Sequence, residues 1–125
     1  MAAEFRKAST LLIMVRSSNG NFPGRLCLIR FFFFENGRFV DKTAVLGLLN
    51  ARYGLNASIG DFDLNGWTDI YVCNDYHHAD HLYMNSGGLF TDEILTHTGH
   101  ISFYSMGSDV GDVNMDGLPD IYTLD

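Results

Sequence analysis

Apolar residues along this chain fall into short runs, and Gly, Asp, Asn or Ser closes off each run. The runs "RLCLIRFFFF" (Arg25 to Phe34), "TDIYVCN" (Thr68 to Asn74), "HLYMN" (His81 to Asn85) and "PDIYTLD" (Pro119 to Asp125) are rich in β-branched and aromatic side chains. Such residues fit a pleated strand. No segment sustains an apolar period of 3.6 residues, so no long helix is predicted. "ENGRFVDKT" and "NSGGLFTDE" each read as a Gly-containing hairpin turn followed by a strand with Phe near its start. "KTAVLGLLNA" (Lys42 to Ala51) has room for one helical turn, but its counterpart later in the chain, "EILTHTGHIS", argues for a connecting loop.

The pattern repeats at a spacing of 51 residues. At that spacing "GDFDLNGWTDIYV" falls on "GDVNMDGLPDIYT", which superposes Gly60 on Gly111, Asp61 on Asp112, Gly66 on Gly117 and Asp69 on Asp120. Asp63 with Asn114, and Asn65 with Asp116, exchange acid for amide. Gly37, Phe39 and Asp41 fall on Gly88, Phe90 and Asp92. Upstream, the first copy reads as about five residues longer if Leu26 to Leu28 matches Leu82 to Met84, and the match breaks down before Gly24. A period of this length suits a four-stranded propeller blade. The expected fold is therefore all-β, built of four-stranded antiparallel propeller blades. One blade is complete, roughly Gly54 to Leu95, and two partial blades flank it. Residues 24–125 form the repeat region and residues 1–23 stay unassigned. Propellers close with typically four to eight blades, so the chain reads as a piece of a longer ring.

The repeated phrase carries candidate chemistry. Its first copy offers oxygen donors at positions 1, 3, 5 and 9 as Asp61, Asp63, Asn65 and Asp69, with Gly66 at position 6. The second offers Asp112, Asn114, Asp116 and Asp120, with Gly117 at position 6. Alternating donors put carboxylate and amide oxygens on one side of a tight loop, and Gly permits the sharp turn. The backbone carbonyl at position 7, of Trp67 or Leu118, can then face an ion. Hard oxygen ligands without soft ones favour Ca²⁺, expected at two sites, over Mg²⁺ with its strict octahedral demand. An EF-hand would place Glu at position 12 and continue into a helix. Here position 12 is Val72 or Thr123, and strand follows.

Charge sharpens this reading. The net charge is −7 with no Lys/Arg cluster, which argues against nucleic acid and anionic membrane as main partners. Six of the fifteen acids sit in the two repeated phrases, so the acidity is local, as a cation site makes it. Hydrophobic content of 46% against 18% charged is enough for a packed core. Leu11 to Val15 is too short for a secretory h-region and "LIRFFFF" too short to span a bilayer, so no signal peptide or transmembrane segment is expected. Cys27 and Cys73 lack CxxC spacing; buried free thiols are expected, with one disulfide left open.

The two phrases resemble the calcium loops of FG-GAP/VCBS repeats, the blades of integrin α-type propellers. From Tyr53 onward the chain is also similar to the propeller of bacterial ASPIC/UnbV proteins, relatives of the cartilage acidic proteins. The resemblance implies a secreted or cell-surface, calcium-stabilised, non-enzymatic propeller that binds a protein or glycan ligand. It also implies that the remaining blades are absent from this chain. Two other classes compete with this reading. A propeller lyase or hydrolase acting on glycans would use the His-bearing loops "YHHADH" and "THTGHISFYSMG", around His77, His78, His81, His97 and His100, yet no nucleophile or paired carboxylate has partner spacing. A dockerin-like module would also use duplicated calcium loops but would follow each with a helix. Trp67 and Tyr76 read as aromatics packed on their own blade. The sequon Asn56-Ala57-Ser58 falls in an expected inner strand, away from modification.

Overall fold

The chain is described by a computed structural model over residues 11–17, 27–49 and 52–125. Each apolar run forms a strand. The order is β1 (Leu11–Ser17), β2 (Cys27–Glu35), β3 (Arg38–Asp41), β4 (Gly54–Gly60), β5 (Asp69–Asn74), β6 (His81–Ser86), β7 (Leu89–Asp92), α1 (Ile94–Thr98), β8 (Gly107–Gly111) and β9 (Asp120–Leu124). The strands build three antiparallel sheets ordered β1-β2-β3, β4-β5-β6-β7 and β8-β9. The architecture is all-β, as expected. The complete four-stranded blade is the middle sheet, and a three-stranded and a two-stranded sheet flank it.

The 51-residue repeat is visible in individual backbone hydrogen bonds. Lys42 N donates to Phe31 O at 3.0 Å, and the equivalent Glu93 N donates to Leu82 O at 2.8 Å. Asp41 and Asp92, also equivalent, each accept from the amide two residues on, Thr43 N at 2.9 Å and Ile94 N at 3.3 Å. The hairpins match as well. Glu35 pairs with Arg38 across Asn36-Gly37, and Ser86 pairs with Leu89 across Gly87-Gly88. Arg30 to Glu35 therefore aligns with β6 without an insertion. The extra length of the first copy lies at the start of β2, not within the aligned part. β1 falls inside the segment left outside the repeat and pairs with β2 from Leu11↔Phe33 to Ser17↔Cys27.

The core lies on both faces of the middle sheet. Strand alternation sends Ile70 and Val72 to one side, where they pack with Tyr83, Leu48, and Ile29 and Phe31 of β2. Tyr71 and Cys73 go to the other side and pack with Leu82, Met84, Ile94 and, from β9, Ile121. All six residues of β5 are buried. This explains why "DIYVCN" is a continuous apolar run rather than an alternating one. Cys73 is a buried free thiol, and burial pushes it up to about 11; the side chain of Cys27 lies outside the described residues. Phe34 is 48% exposed and Phe31 fully buried, so the "FFFF" run is split between solvent and core.

The two connections after the outer strands differ in form. Residues 43–47 make successive turns, whereas the counterpart segment, expected as a loop, forms the short helix α1 ended by Gly99 at φ 60°. The first connection is fastened by Thr43, 1% exposed. Its hydroxyl accepts from Phe31 N at 2.9 Å and donates to Asp41 Oδ1 at 2.6 Å. On the far side of the middle sheet, buried Asp80 accepts from Tyr71 Oη (2.6 Å), Ser105 Oγ (2.7 Å) and Asn74 N (2.7 Å). Burial, then the Asp80 bond, push the Tyr71 phenol well above its ordinary range. Sequon residue Asn56 lies in β4, where its Oδ1 accepts from Ser108 Oγ at 2.9 Å and joins the second and third sheets. Among the described residues no helix is long and apolar enough to cross a membrane.

Thr43→Val keeps the shape of the side chain but leaves Phe31 N without its buried acceptor. It is expected to lower unfolding free energy by about 1–3 kcal/mol in chemical denaturation. The hydrogen bonds from Thr43 hold the Asp41 carboxyl below its ordinary value. A depressed acid contributes stability above its unfolded pKa and loses it as pH falls through the folded one. The variant should therefore differ least from the parent in strong acid.

Candidate metal centre

Two loops connect inner strands: residues 61–68 join β4 to β5, and residues 112–119 join β8 to β9. Both fold the same way for the same local reasons. Asp61 Oδ2 accepts from Gly66 N at 2.9 Å, and Asp112 Oδ2 accepts from Gly117 N at 2.9 Å. Position 5 accepts from position 7, as Asn65 Oδ1 from Trp67 N (2.7 Å) and Asp116 Oδ1 from Leu118 N (2.8 Å). Position 9 reaches back to position 2, as Asp69 Oδ2 from Phe62 N (2.8 Å) and Asp120 Oδ2 from Val113 N (2.9 Å). These short polar side chains act as turn formers through their own backbone neighbours.

Backbone sign explains the glycines. Gly66 and Gly117 have φ of 87° and 86°, in the left-handed region that a side chain resists. Position 4 is left-handed too, yet carries Leu64 (φ 58°) and Met115 (φ 59°). Each of these non-Gly residues costs about 1–3 kcal/mol that the rest of the loop must offset. The exchange of acid and amide between positions 3 and 5 preserves one contact. Asn65 Nδ2 donates to Asp63 Oδ2 at 2.9 Å, and in the second loop Asn114 Nδ2 donates to Asp116 Oδ2 at 2.9 Å.

The first loop concentrates charge. Ligand-capable oxygens of Asp61, Asp63 and Asp69 lie within 4.8 Å of one another. Burial pushes the Asp69 carboxyl above its ordinary value, and the charges of Asp63 and Asp61 push the same way, against hydrogen bonds from Asn85 N and Phe62 N. Asp61 Oδ1 is enclosed and accepts no hydrogen bond. An enclosed carboxylate oxygen without a donor costs roughly 1–3 kcal/mol or more. Among the described residues the salt bridges are Arg30–Asp41, Lys42–Glu35, His81–Asp92 and His97–Glu93, so none neutralises this cluster. A cation fits the donor set: it gives the orphaned oxygen a partner and relieves the like-charge crowding. The cluster of Asp61, Asp63 and Asp69 can hold a metal ion.

The second loop brings Asp112, Asn114, Asp116 and Asp120 together through the bonds above, but it is more open, with residues 111–118 exposed. Its position 3 is an amide, and its carboxylates do not form the tight trio of the first loop. Trp67 and Leu118 enter through their amides, as described. One participant was not visible in the sequence. Asn85, at the end of β6 and 1% exposed, donates its backbone N–H to Asp69 Oδ1 at 2.8 Å and its Nδ2 to Thr68 O at 3.0 Å. Its only sequence signal is an Asn placed just before a Gly-Gly turn.

The histidines do not gather into a centre. His77 meets the Tyr104 hydroxyl at 3.0 Å, and His78 stacks on Tyr53 with centroids 5.4 Å apart. His81 pairs with Asp92 at 2.6 Å and His97 with Glu93 at 2.9 Å.

Neither a curated protein nor a solved structure matches the chain. The FG-GAP-like repeat family matches residues 61–123, which run from Asp61 of one loop through the whole of the other. With that match over half the chain, and with propeller-type sheets carrying the loops, the chain belongs to the FG-GAP-like repeat family.

Proposed function

We propose that the chain is a calcium-binding propeller module of an extracellular or cell-surface protein, non-enzymatic, that presents its loops to a protein or glycan ligand. The observation that carries the metal reading is the enclosed, unpartnered Asp61 Oδ1 inside a trio of carboxylates. Asp61, Asp63, Asn65 and Asp69, with the Trp67 carbonyl, would hold one ion. Asp112, Asn114, Asp116 and Asp120, with the Leu118 carbonyl, would hold the second. All donors are oxygen, the preference of a hard cation. Calcium suits the irregular cage better than magnesium, which keeps its waters and an octahedral shell. A bound ion would supply the positive charge that the clustered carboxylates lack. The adhesion or ligand-binding role, the surface location and the closer likeness to ASPIC/UnbV propellers rest on the resemblance of the loop phrases. The separate engagement of His77, His78, His81 and His97 supports a non-catalytic reading over a glycan-cleaving one.

Calcium added to metal-free protein should raise the melting temperature. One site filled to a hundred times its Kd adds about 2.7 kcal/mol. Asp61→Ala should reduce the shift, and Asp61→Ala with Asp112→Ala should abolish it. A parent protein whose melting temperature ignores calcium would sink the metal reading.

The pH response has a definite sign. Asp69 sits above its ordinary value without metal. Its contribution is present below the unfolded pKa and lost as pH rises through the folded one. Calcium-free protein should therefore carry this penalty at neutral pH. The gap between calcium-loaded and calcium-free melting temperatures should widen from about pH 4 to pH 7, and scanning calorimetry at several pH values reads it directly.

A further inference from the structure

Charge is segregated along this chain. All eight Lys and Arg lie within residues 1–52, and twelve of the fifteen Asp and Glu lie within residues 53–125. Two bound calcium ions would offset only four of those twelve charges. The middle blade and the loops after it therefore carry a negative field with no lysine or arginine of their own. Such a field draws cations and repels anions.

A cluster of rings lies in this field, at the end of the middle blade away from the first metal loop. Tyr53 and Tyr104 are equivalent at the 51-residue spacing, one just before β4 and the other shortly before β8. The β5–β6 loop is tied to both. Asp75 N donates to Tyr53 O at 2.9 Å, and Tyr104 N donates to Tyr76 O at 3.1 Å. The rings follow the backbone. Tyr76 meets Tyr53 edge-on with centroids 4.8 Å apart, His78 stacks on Tyr53 at 5.4 Å, and His77 meets Tyr104 at 5.2 Å. Tyr76, Phe103 and Tyr104 nevertheless stay 54%, 48% and 44% exposed. Clustered aromatic surface left in water marks an interaction site. Tyrosine suits one, because it offers rigid, amphipathic contact area at low entropic cost.

Charge and ring chemistry together select the occupant. A guanidinium stacks on a tyrosine face and is attracted to its π-system. Acids of matching sign flank the rings: Asp75, which accepts from Tyr76 N at 2.7 Å, and Asp125, held by the Ser102 hydroxyl beside Phe103. An anionic ligand meets no lysine or arginine in residues 75–80 or 99–106. Arg52 precedes Tyr53, and its charge reaches Tyr83, on the face of the middle sheet packed against β2. We propose that the ring cluster around Tyr76 and Tyr104 docks an arginine-bearing segment of a partner protein. The proposal rests on the ligand-presenting reading above and narrows its ligand to a cationic peptide chain.

The test uses the full chain with calcium at neutral pH and physiological salt. Two short fluorescent peptides serve as probes: one alternates arginine with glycine, and the other carries citrulline, a neutral isostere, in place of arginine. Fluorescence anisotropy should show the arginine peptide bound and the citrulline peptide weaker by about tenfold or more. Tyr76→Leu and Tyr104→Asn remove a ring without changing net charge. Each should weaken the arginine peptide by about threefold to tenfold, the scale of one cation–π contact. Tyr76→Phe keeps the ring and should bind like the parent, which separates ring chemistry from bulk. Circular dichroism shows whether each variant is folded, and the comparison of the two peptides on the parent needs no variant. Equal binding of the two peptides would overturn the inference. So would arginine-peptide binding that ignores both ring deletions, since that is diffuse attraction to the acids. Binding of chitotetraose in place of the peptide would overturn it and leave the ligand-presenting reading intact. Binding of neither probe would overturn the inference, while the calcium-dependent melting above still tests the metal reading.

Discussion

Burial of β5 on both faces is the constraint that organises the rest of the structure. A strand with no side turned to water needs a partner sheet on each side, and the chain supplies one from β1, β2 and β3 and another from β8 and β9. Because β5 is held so firmly, its first residue is a fixed point. That residue is Asp69, fully buried and the last ligand-capable side chain of the first loop. Hydrophobic packing thus places a carboxylate where a polar loop must close upon it. The geometry of the carboxylate cluster is a by-product of strand burial at one end and turn chemistry at the other.

The same burial sets a strict condition on polar groups. Thr43, Asp69, Asn74, Asp80, Asn85 and Ser105 are all buried, and each engages a named partner. Asp80 lies at the opposite end of β5 from Asp69 and answers the condition with three donors. Asp61 leaves one enclosed oxygen without any. Two carboxylates serve the ends of one blade, one satisfied by protein alone and the other left short of positive charge. This contrast separates a structural clasp from a cluster that can hold a metal ion.

Local chemistry is what could be read from the sequence. Strand character, the two-residue Gly turns and the alternating loop donors depend on residues within a few positions of each other, and the structure forms strands and turns there. The exchange of Asp63 and Asn65 for Asn114 and Asp116 was visible as text, and its physical content is a single retained amide-to-carboxylate bond. What escaped was non-local. Asn85 meets Asp69 across sixteen residues and Asp80 meets Ser105 across twenty-five, pairings that no period announces. β1 escaped because its partner strand, not its own repeat register, defines it. The helix α1 in place of a loop depends on Ile94 being buried against the middle sheet, a tertiary effect that overrides a weak local preference.

The bond between Gly66 N and Asp61 Oδ2 has a consequence for the chemical lifetime of the chain. Asn followed by Gly is the dipeptide most open to spontaneous deamidation, because the unhindered glycine nitrogen attacks the amide carbon and closes a five-membered imide. Here that nitrogen belongs to Gly66 and its target is the side chain of Asn65, the residue that links the loop to β6. The proton of that nitrogen is directed at Asp61, and this bond must break before the nitrogen can attack. The folded loop therefore protects the Asn-Gly pair on which its link to β6 depends.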